Sequence, residues 1–260
     1  MYRLLLVLLL LSFSIESRAA ERIVLLSPAA GDILHKLNAD DKVVGVTRNL
    51  EGFAKATKVG SHIRPNVEII RSLNPDLLII SSNRFFSQEM AAAVGAEVYY
   101  YQPRTLDDIA DQIRELSKRL GQEQQGQELI ARQWQKLEQL RPLNGQPQVV
   151  FEVTAMPLLV AGSRHIVADI VNRAGGSLVP ADKRKLIRYN AEAILARQPD
   201  VYIYQVGPMN KNPRPPAQRS CFSSLSAKFL QVDELQFSRP NTSSFDNVVK
   251  LNRYFNGDKF

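Results

Sequence analysis

The side chains that most often carry out chemistry in proteins are few in this chain. It has three histidines and one cysteine, Cys221, among 260 residues. His35 and His165 lack partners at the spacing of a catalytic triad or of a metal-binding His-x-x-x-His pair. A glycine-rich phosphate loop and a Gly-x-Ser-x-Gly nucleophile motif are also missing from the sequence. These patterns argue against an enzyme and against a receptor for bare zinc or manganese, which needs several ligating side chains.

Cationic side chains form the second group with recognisable chemistry. Guanidinium groups bind carboxylate, catecholate and propionate oxygens in bidentate geometry. Loops next to predicted strands carry four arginines and one histidine, namely Arg48, His62, Arg84, Arg104 and Arg239. We expect these residues to bind an anionic ligand, with Phe85, Tyr101 and Met156 as apolar walls. Each arginine taken singly is equally compatible with a solvated surface charge.

The overall charge does not indicate a nucleic-acid-binding protein. The net charge is +7 at pH 7, and the longest basic run is Lys183-Arg184-Lys185. Basic residues are dispersed, and no aromatic-interleaved RNA-binding pattern is present. Hydrophobic residues make up 45% and charged residues 23% of the chain, as in an ordinary globular protein. A single cysteine excludes an intrachain disulfide, so packed cores must stabilise the fold.

The first 19 residues are typical of a cleaved signal peptide. Arg3 supplies the positive charge, Leu4 to Leu11 begin the apolar segment, and Ser17-Arg18-Ala19 place small residues before the cut at Ala20. The apolar run is shorter than the roughly 20 residues that span a bilayer, which argues against a membrane anchor. No cysteine lies near the cut to carry a lipid. We therefore expect a mature chain that is free in a periplasm.

A segment that occurs twice organises the chain and positions the cationic loops. Asn66 to Ile80 and Asn190 to Tyr204 share Asn, Glu, Ile, Pro, Asp and Ile at the same spacing. Each copy predicts a short helix, a Pro-Asp turn and a buried strand, because helical spacing gives way to a continuous apolar run. Two copies favour two α/β lobes, since a solenoid needs at least three repeats.

The segment between the two copies is predicted to join the lobes. Apolar residues from Leu106 to Leu140 recur at steps of three and four, after a capped helix start at Thr105. The glutamine-rich stretch Gln122 to Gln127 is interpreted as an exposed turn of one long helix, with two helices in line or a flexible linker as alternatives. The predicted units are a signal peptide at 1–19, an N-terminal lobe at 20–104, a backbone helix at 105–141 and a C-terminal lobe at 142–260.

Several segments, in this order, resemble the helical-backbone periplasmic binding proteins of ABC importers. They are Arg22 to Ala30, Val43 to Val46, the two repeats, the central helix and Ile166 to Gly176. The resemblance implies two Rossmann-like α/β lobes with parallel sheets, joined by one long helix, with the ligand in the cleft between them. That family takes up cobalamin, ferric siderophores and haem. A loop that often reads Asp-x-x-Pro-Pro in relatives lacks both prolines here, at Asn49 to Phe53.

The resemblance also implies roles for individual residues. Glu68 and Glu192 match glutamates that pair with arginines on the membrane subunits, so they are expected to dock the chain to its importer. His62 matches a position where an aromatic side chain contacts the ligand, and it is expected to stack on the ligand or coordinate its metal. No catalytic residue, no other metal ligand and no cofactor besides the bound chelate is expected.

The expected function is a monomeric solute-binding protein that delivers a ferric siderophore or related iron complex to an inner-membrane importer. Cobalamin and haem are alternatives, since the cleft of this family accommodates each with different side chains. An exported enzyme and a sensor or adaptor that binds a protein are the competing classes. Substrate turnover would favour the enzyme, and a stable complex with a protein other than a transporter would favour the adaptor.

Overall fold

The structure, a computed structural model, describes residues 19–260. It has two α/β lobes, as predicted, on either side of a helical segment in the middle of the chain. The predicted signal peptide, Met1 to Ala19, lies outside the described residues except for Ala19. Within the described part, no helix is both long and apolar enough to cross a membrane.

The first lobe is built on a parallel five-stranded sheet. Its elements, in chain order, are β1 (Ile23–Leu25), α1 (Gly31–Lys36), β2 (Val43–Val46), β3 (Thr57–Lys58), β4 (Gly60–Ser61), β5 (Arg64–Pro65), α2 (Val67–Ser72), β6 (Leu77–Ile80), α3 (Gln88–Val94) and β7 (Glu97–Tyr100). The strand order is β3-β2-β1-β6-β7, and β4 pairs with β5 as a separate hairpin. The central strands β1 and β6 are buried along their whole length. This burial explains their continuous apolar sequences, because both faces of a parallel sheet are covered.

Two helices, α4 (Leu106–Leu120) and α5 (Glu123–Leu137), connect the lobes and replace the predicted single helix. A capping box at Thr105 opens α4 as expected, and Gly121 ends it in the left-handed conformation, with φ of 67°. Gly126 then packs against Ser117. In one continuous helix these two residues would lie about 13 Å apart along the axis. The expectation of one unbroken helix over 105–141 is therefore wrong, because the chain folds back on itself after Gly121.

The second lobe contains a mixed sheet. Its elements are β8 (Gln148–Thr154), β9 (Leu159–Ala161), α6 (Ile166–Arg173), β10 (Ser177–Leu178), β11 (Leu186–Arg188), α7 (Ala191–Arg197), β12 (Val201–Val206), β13 (Lys228–Asp233), α8 (Glu234–Phe237) and α9 (Ser243–Phe255). The strand order is β11-β9-β8-β12-β13, and β10 pairs with β8. Strands β8, β10, β12 and β13 are parallel, as predicted. Strand β9 is antiparallel to β8, which corrects the all-parallel expectation, because the short turn between them permits only a hairpin.

The duplicated segment has the same local geometry in both lobes. The side chain of Asn66 caps α2 and that of Asn190 caps α7, each by accepting a hydrogen bond from the backbone N–H three residues later. Asp76 and Asp200, each after a proline, accept hydrogen bonds from backbone N–H groups at the start of β1 and β8. The predicted duplication is therefore visible in the hydrogen bonds as well as in the sequence.

An apolar core extends from one sheet to the other through the connecting helices. It includes Leu25 of the first sheet, Ile113 of α4 and Phe151 of the second sheet, all fully buried. The aromatic rings of Trp134 in α5 and Phe245 in α9 pack edge to face at 5.2 Å. Because burial of apolar surface is the main stabilising contribution to folding, this shared core fixes the position of one lobe against the other.

His165 is a buried histidine whose charge state makes stability depend on pH. It is 5% exposed and caps α6, since its Nδ1 accepts a hydrogen bond from the Val167 N–H. Burial, together with the nearby charge of Lys185, lowers the pKa of His165 to about 3. The unfolded chain binds this proton near pH 6.5. The stabilisation is therefore complete above about pH 6.5 and is lost as the pH falls toward 3.

We expect the free energy of unfolding to be about 2 kcal/mol lower at pH 5 than at pH 7.5 through this group. Urea unfolding at several pH values measures the effect. His165→Asn keeps an oxygen acceptor for the helix cap but cannot titrate, so most of this pH dependence should disappear. The exposed His62, changed in the same way, provides the control and should leave the dependence intact. An unchanged slope in His165→Asn would contradict the assignment.

Candidate ligand-binding site

The carboxyl ends of strands from both sheets meet at a cavity of about 360 Å³ between the lobes. The first lobe contributes segments after β1 and β2, and the second contributes α8 and the loop after it. Open α/β sheets bind ligands at such carboxyl edges. We call this space the interlobe cavity; it is lined by Pro28, Gly31, Asp32, His35, Leu50, Glu51, Gly52, Phe53, Leu235, Gln236, Arg239, Asn241 and Ser243.

The interlobe cavity has charges of both signs. Arg239, one of the predicted ligand residues, lines it and is half-buried. Desolvation lowers the pKa of the Arg239 guanidinium, and the negative charges of Glu234 and Asp233 oppose that shift. Asp32 and Glu51 place carboxylates in the same cavity wall. The wall is therefore less cationic than the sequence suggested.

Polar contacts across the lobes close the cavity on one side. The carboxylate of Asp32 on α1 accepts hydrogen bonds from the Thr242 hydroxyl at 2.6 Å and from its backbone N–H at 3.2 Å. Lys36 forms an ion pair with Asp32 at 2.8 Å and also donates to the Thr242 hydroxyl. These contacts join α1 to the start of α9, so the two walls of the cavity are held by charge-assisted hydrogen bonds.

Tyr101 joins the lobes instead of lining an open cleft. It is 2% exposed, and its hydroxyl donates a hydrogen bond to the Pro240 carbonyl at 2.7 Å. Burial raises the pKa of this hydroxyl well above its usual range, so it stays a neutral donor. This placement does not favour the predicted role of Tyr101 as an apolar wall for the ligand.

Three predicted ligand residues are close together at the carboxyl edge of the first sheet. His62 lies between β4 and β5, and its ring meets that of Phe85 edge to face at 6.3 Å. The Arg84 guanidinium lies over the same Phe85 ring, 5.5 Å from its centroid. The structure thus groups an imidazole, a phenyl ring and a guanidinium on one surface, which we call the aromatic edge.

The remaining predicted cations, Arg48 and Arg104, are not among the residues that line the interlobe cavity. Arg48 follows β2 and Arg104 precedes α4, and both side chains are exposed. Desolvation lowers the pKa of Lys185, and the positive charge of Arg104 lowers it further. Arg104 of the first lobe and Lys185 of the second therefore interact as like charges, and neither has an ion-pair partner among residues 19–260. An anion between them would relieve this repulsion.

Met156 is the predicted ligand residue of the second lobe. It follows β8 and is 94% exposed. Met209, which the sequence analysis did not select, follows β12 and is 53% exposed. Both therefore extend from the carboxyl edge of the second sheet, the edge that continues into the wall of the interlobe cavity.

The two proposed docking glutamates occupy equivalent places in the lobes. Glu68 lies in the first turn of α2 and Glu192 in the first turn of α7. Both side chains are exposed, and within the described chain neither forms an ion pair. Their accessibility is what a docking contact requires.

Sequence reasoning missed the polar residues that complete the interlobe cavity. Asp32, His35 and Glu51 lie on elements adjoining predicted strands, but their types and spacing match no binding motif. Asn241 and Ser243 enter the cavity because the start of α9 is bonded to α1, a contact between residues about 200 positions apart. Asp32 could have been suggested from the sequence, because it lies in the first turn of α1, shortly after β1. No local pattern could have suggested Asn241 and Ser243.

A model of the periplasmic binding protein family matches residues 23–215. The vitamin B12-binding protein of Vibrio cholerae is 29% identical over 191 residues, which are 70% of this chain and 69% of that protein. Among solved structures, the periplasmic vitamin B12 binding protein BtuF of Vibrio cholerae has a TM-score of 0.74 at 24% identity, covering 91% of this chain and 97% of that one. S. aureus IsdE, complexed with heme, has a TM-score of 0.76 at 21% identity and covers 90% and 98%.

Proposed function

The chain belongs to the periplasmic binding protein family, and on that premise we propose that it captures a metal chelate between its lobes and delivers it to an ABC importer. Members of the family bind solutes for transport, and we propose that this chain likewise releases its ligand unchanged. We place the mature monomer free in the periplasm, after removal of the predicted signal peptide.

The observation that carries the proposal is the aromatic edge. A phenyl ring and an imidazole offer flat apolar contact, and the neighbouring Arg84 guanidinium can bind acidic oxygens on the same ligand. Few small solutes combine a broad apolar face with anionic groups, whereas chelates built from catecholates or from a macrocycle with propionates do. We propose an iron complex of this kind, with His62 available to stack on it or to coordinate its metal.

Cobalamin is the second candidate. The relatives at 27% to 29% identity are vitamin B12-binding proteins, and a corrinoid also offers a broad face to the aromatic edge. The corrinoid, however, carries amide side chains instead of carboxylates, and amides match the mixed polar wall of the interlobe cavity. Haem combines a flat macrocycle with two propionates and belongs to the first class.

The direct test is to purify the protein from its own periplasm and record its colour and the mass spectrum of any bound molecule. The ligand-free protein is then titrated by calorimetry with cyanocobalamin, with hemin and with an iron(III) tris-catecholate complex. Binding of one of the three, recovered chemically unchanged, is the expected result. Failure of all three to bind would contradict the proposed function.

Arg84→Ala together with Arg239→Ala is expected to weaken binding of an anionic chelate by roughly ten- to a hundredfold or more for each charged hydrogen bond that is lost. The physical reason is the loss of charged hydrogen bonds, each worth about 1.5–3 kcal/mol. Arg84 should contribute less to ligand affinity than Arg239 does. Arg84 is exposed, so solvent screens its charge more strongly than that of the half-buried Arg239. Titration calorimetry with hemin or the tris-catecholate complex measures the change.

The matched control removes two arginines from the exposed surface of the connecting helices, Arg114→Ala with Arg132→Ala. That variant has the same net charge as the Arg84/Arg239 variant, and it should bind the chelate as tightly as the parent does. If both double variants bind the anionic chelate as tightly as the parent, Arg84 and Arg239 are solvated charges and their proposed role in binding the ligand's anionic groups is wrong.

A further inference from the structure

Two methionines of the second lobe are exposed although their backbones are firmly held. Met156 is 94% exposed and Met209 is 53% exposed. Water contact with apolar side chains is unfavourable, and grouped exposed apolar residues commonly mark a binding surface. Both residues follow parallel strands of one sheet at its carboxyl edge. Hydrogen bonds to buried polar side chains hold both turns in place.

Asn210 joins the turn that contains Met156 to the turn that contains Met209. It is buried, and its Oδ1 accepts a hydrogen bond from the Ala155 N–H at 3.0 Å. Its Nδ2 donates to the Gln205 carbonyl at 2.8 Å. Met156 follows Ala155 and Met209 precedes Asn210, so the two methionines flank a single hydrogen bond. The buried amide therefore sets their separation.

Glu234 bonds the same turns to the wall of the interlobe cavity. It is buried at the start of α8, and its Oε2 accepts a hydrogen bond from the Met209 N–H at 2.7 Å. The next two residues, Leu235 and Gln236, line the cavity. The methionine pair is thus positioned relative to the cavity by buried polar groups, whose hydrogen bonds are costly to break.

We propose that Met156 and Met209 form one apolar wall that packs against a flat face of the ligand, and that Asn210 and Glu234 are positioning residues for this wall. Methionine is polarizable and packs well on ring systems. The aromatic edge of the first lobe, with Phe85 and His62, offers the same kind of flat apolar contact. The ligand class is a chelate with a broad apolar face, and this inference rests on the proposed function.

Methionine methyl NMR tests the contact directly. The chain has four methionines, of which Met1 belongs to the predicted signal peptide and Met90 lies in α3 of the first lobe. Mature protein labelled with [ε-¹³C]methionine is titrated with hemin, cyanocobalamin, iron(III) tris-catecholate and metal-free protoporphyrin. For any probe that binds by calorimetry, the Met156 and Met209 signals should shift and the Met90 signal should stay in place.

Substitutions separate apolar packing from coordination by sulfur. Met156→Ser with Met209→Ser should weaken binding about tenfold or more, since the apolar contact is lost. Met156→Leu with Met209→Leu keeps the apolar surface and should bind within about threefold of the parent. Loss of binding in the leucine pair would assign the sulfur atoms to the metal and overturn the proposed wall.

The positioning residues are tested by conservative rescue. Glu234→Ala removes the acceptor for the Met209 N–H, and we expect about fivefold weaker binding together with a displaced Met209 methyl signal. Glu234→Gln retains an oxygen acceptor and should restore both. Asn210→Ala should displace the Met156 and Met209 signals together. A folded Glu234→Gln that behaves as Glu234→Ala does would contradict the positioning role.

The outcomes distinguish this inference from the proposed function. A probe that binds while the Met156 and Met209 signals remain unmoved overturns the methionine wall and leaves the receptor function intact. Failure of all four probes to bind overturns both. Binding of metal-free protoporphyrin with both signals shifted supports an apolar contact that does not require the metal.

Discussion

Charge reversal at both Glu68 and Glu192 is expected to abolish uptake while the affinity for ligand stays at the parent value. Each glutamate lies in the first turn of a short helix that an asparagine caps, α2 in one lobe and α7 in the other. Both are exposed, and the duplication gives them equivalent environments, as a receptor needs if it contacts two similar membrane subunits. An arginine in place of each glutamate would face the arginines expected on those subunits. Like charges held together at an interface cost several kcal/mol.

The matched control is Glu89→Arg with Glu123→Arg. These exposed acids also lie in first turns, of α3 and α5, so the net charge and the loss of helix-dipole stabilisation are the same. That loss is about 0.3–1 kcal/mol per residue. Uptake is measured with the radiolabelled ligand in cells, and affinity is measured by calorimetry. Normal uptake in the Glu68/Glu192 variant would remove the docking role and leave both residues as acids that suit the helix dipole.

Arg219→Ala is expected to lower the free energy of unfolding by about 3–5 kcal/mol. Its guanidinium donates two hydrogen bonds to Glu152, at 2.6 and 2.8 Å, and the Tyr202 hydroxyl donates a third at 2.6 Å. The Glu152 side chain is fully buried in the second sheet. Removing the arginine would leave a buried carboxylate without its cation. Urea unfolding followed by circular dichroism measures the change.

The exposed pair between Arg184 and Asp182 is the control for this experiment. It is also bidentate, with hydrogen bonds of 3.0 and 2.8 Å, but the arginine side chain is 65% exposed. Arg184→Ala should therefore cost at most about 1 kcal/mol. If Arg219→Ala costs no more than Arg184→Ala, the buried pair does not stabilise the lobe as its geometry indicates.

Arg219 also explains how an irregular loop is held. Its Nε donates to the Arg214 carbonyl at 2.7 Å while its other nitrogens bind Glu152. The proline-rich segment 210–218 has no regular structure beyond one short turn of 3₁₀ helix. Its attachment to the sheet depends on a glutamate about 67 positions earlier, which no local pattern reveals.

The sequence by itself determined the elements whose causes are local. The asparagine caps, the Pro-Asp turns and the buried strands of the repeat follow from the types of neighbouring residues, as does the capping box that opens α4 at Thr105. The two-lobed fold followed from the duplication of such a segment. The duplication can be seen in the sequence without knowledge of any contact between the lobes.

The tertiary structure alone decided the direction of the chain after α4 and the composition of the site. Gly121 allows a helix to end, but the apolar stripes on either side fit one straight helix as well as two that pack on each other. Likewise, no local pattern distinguishes Tyr101, which is buried, from Met209, which is exposed. Their environments depend on Pro240, Asn210 and Glu234. Hydrogen bonds between distant residues select these arrangements because buried polar groups must be paired, and such pairings leave no periodicity in the chain.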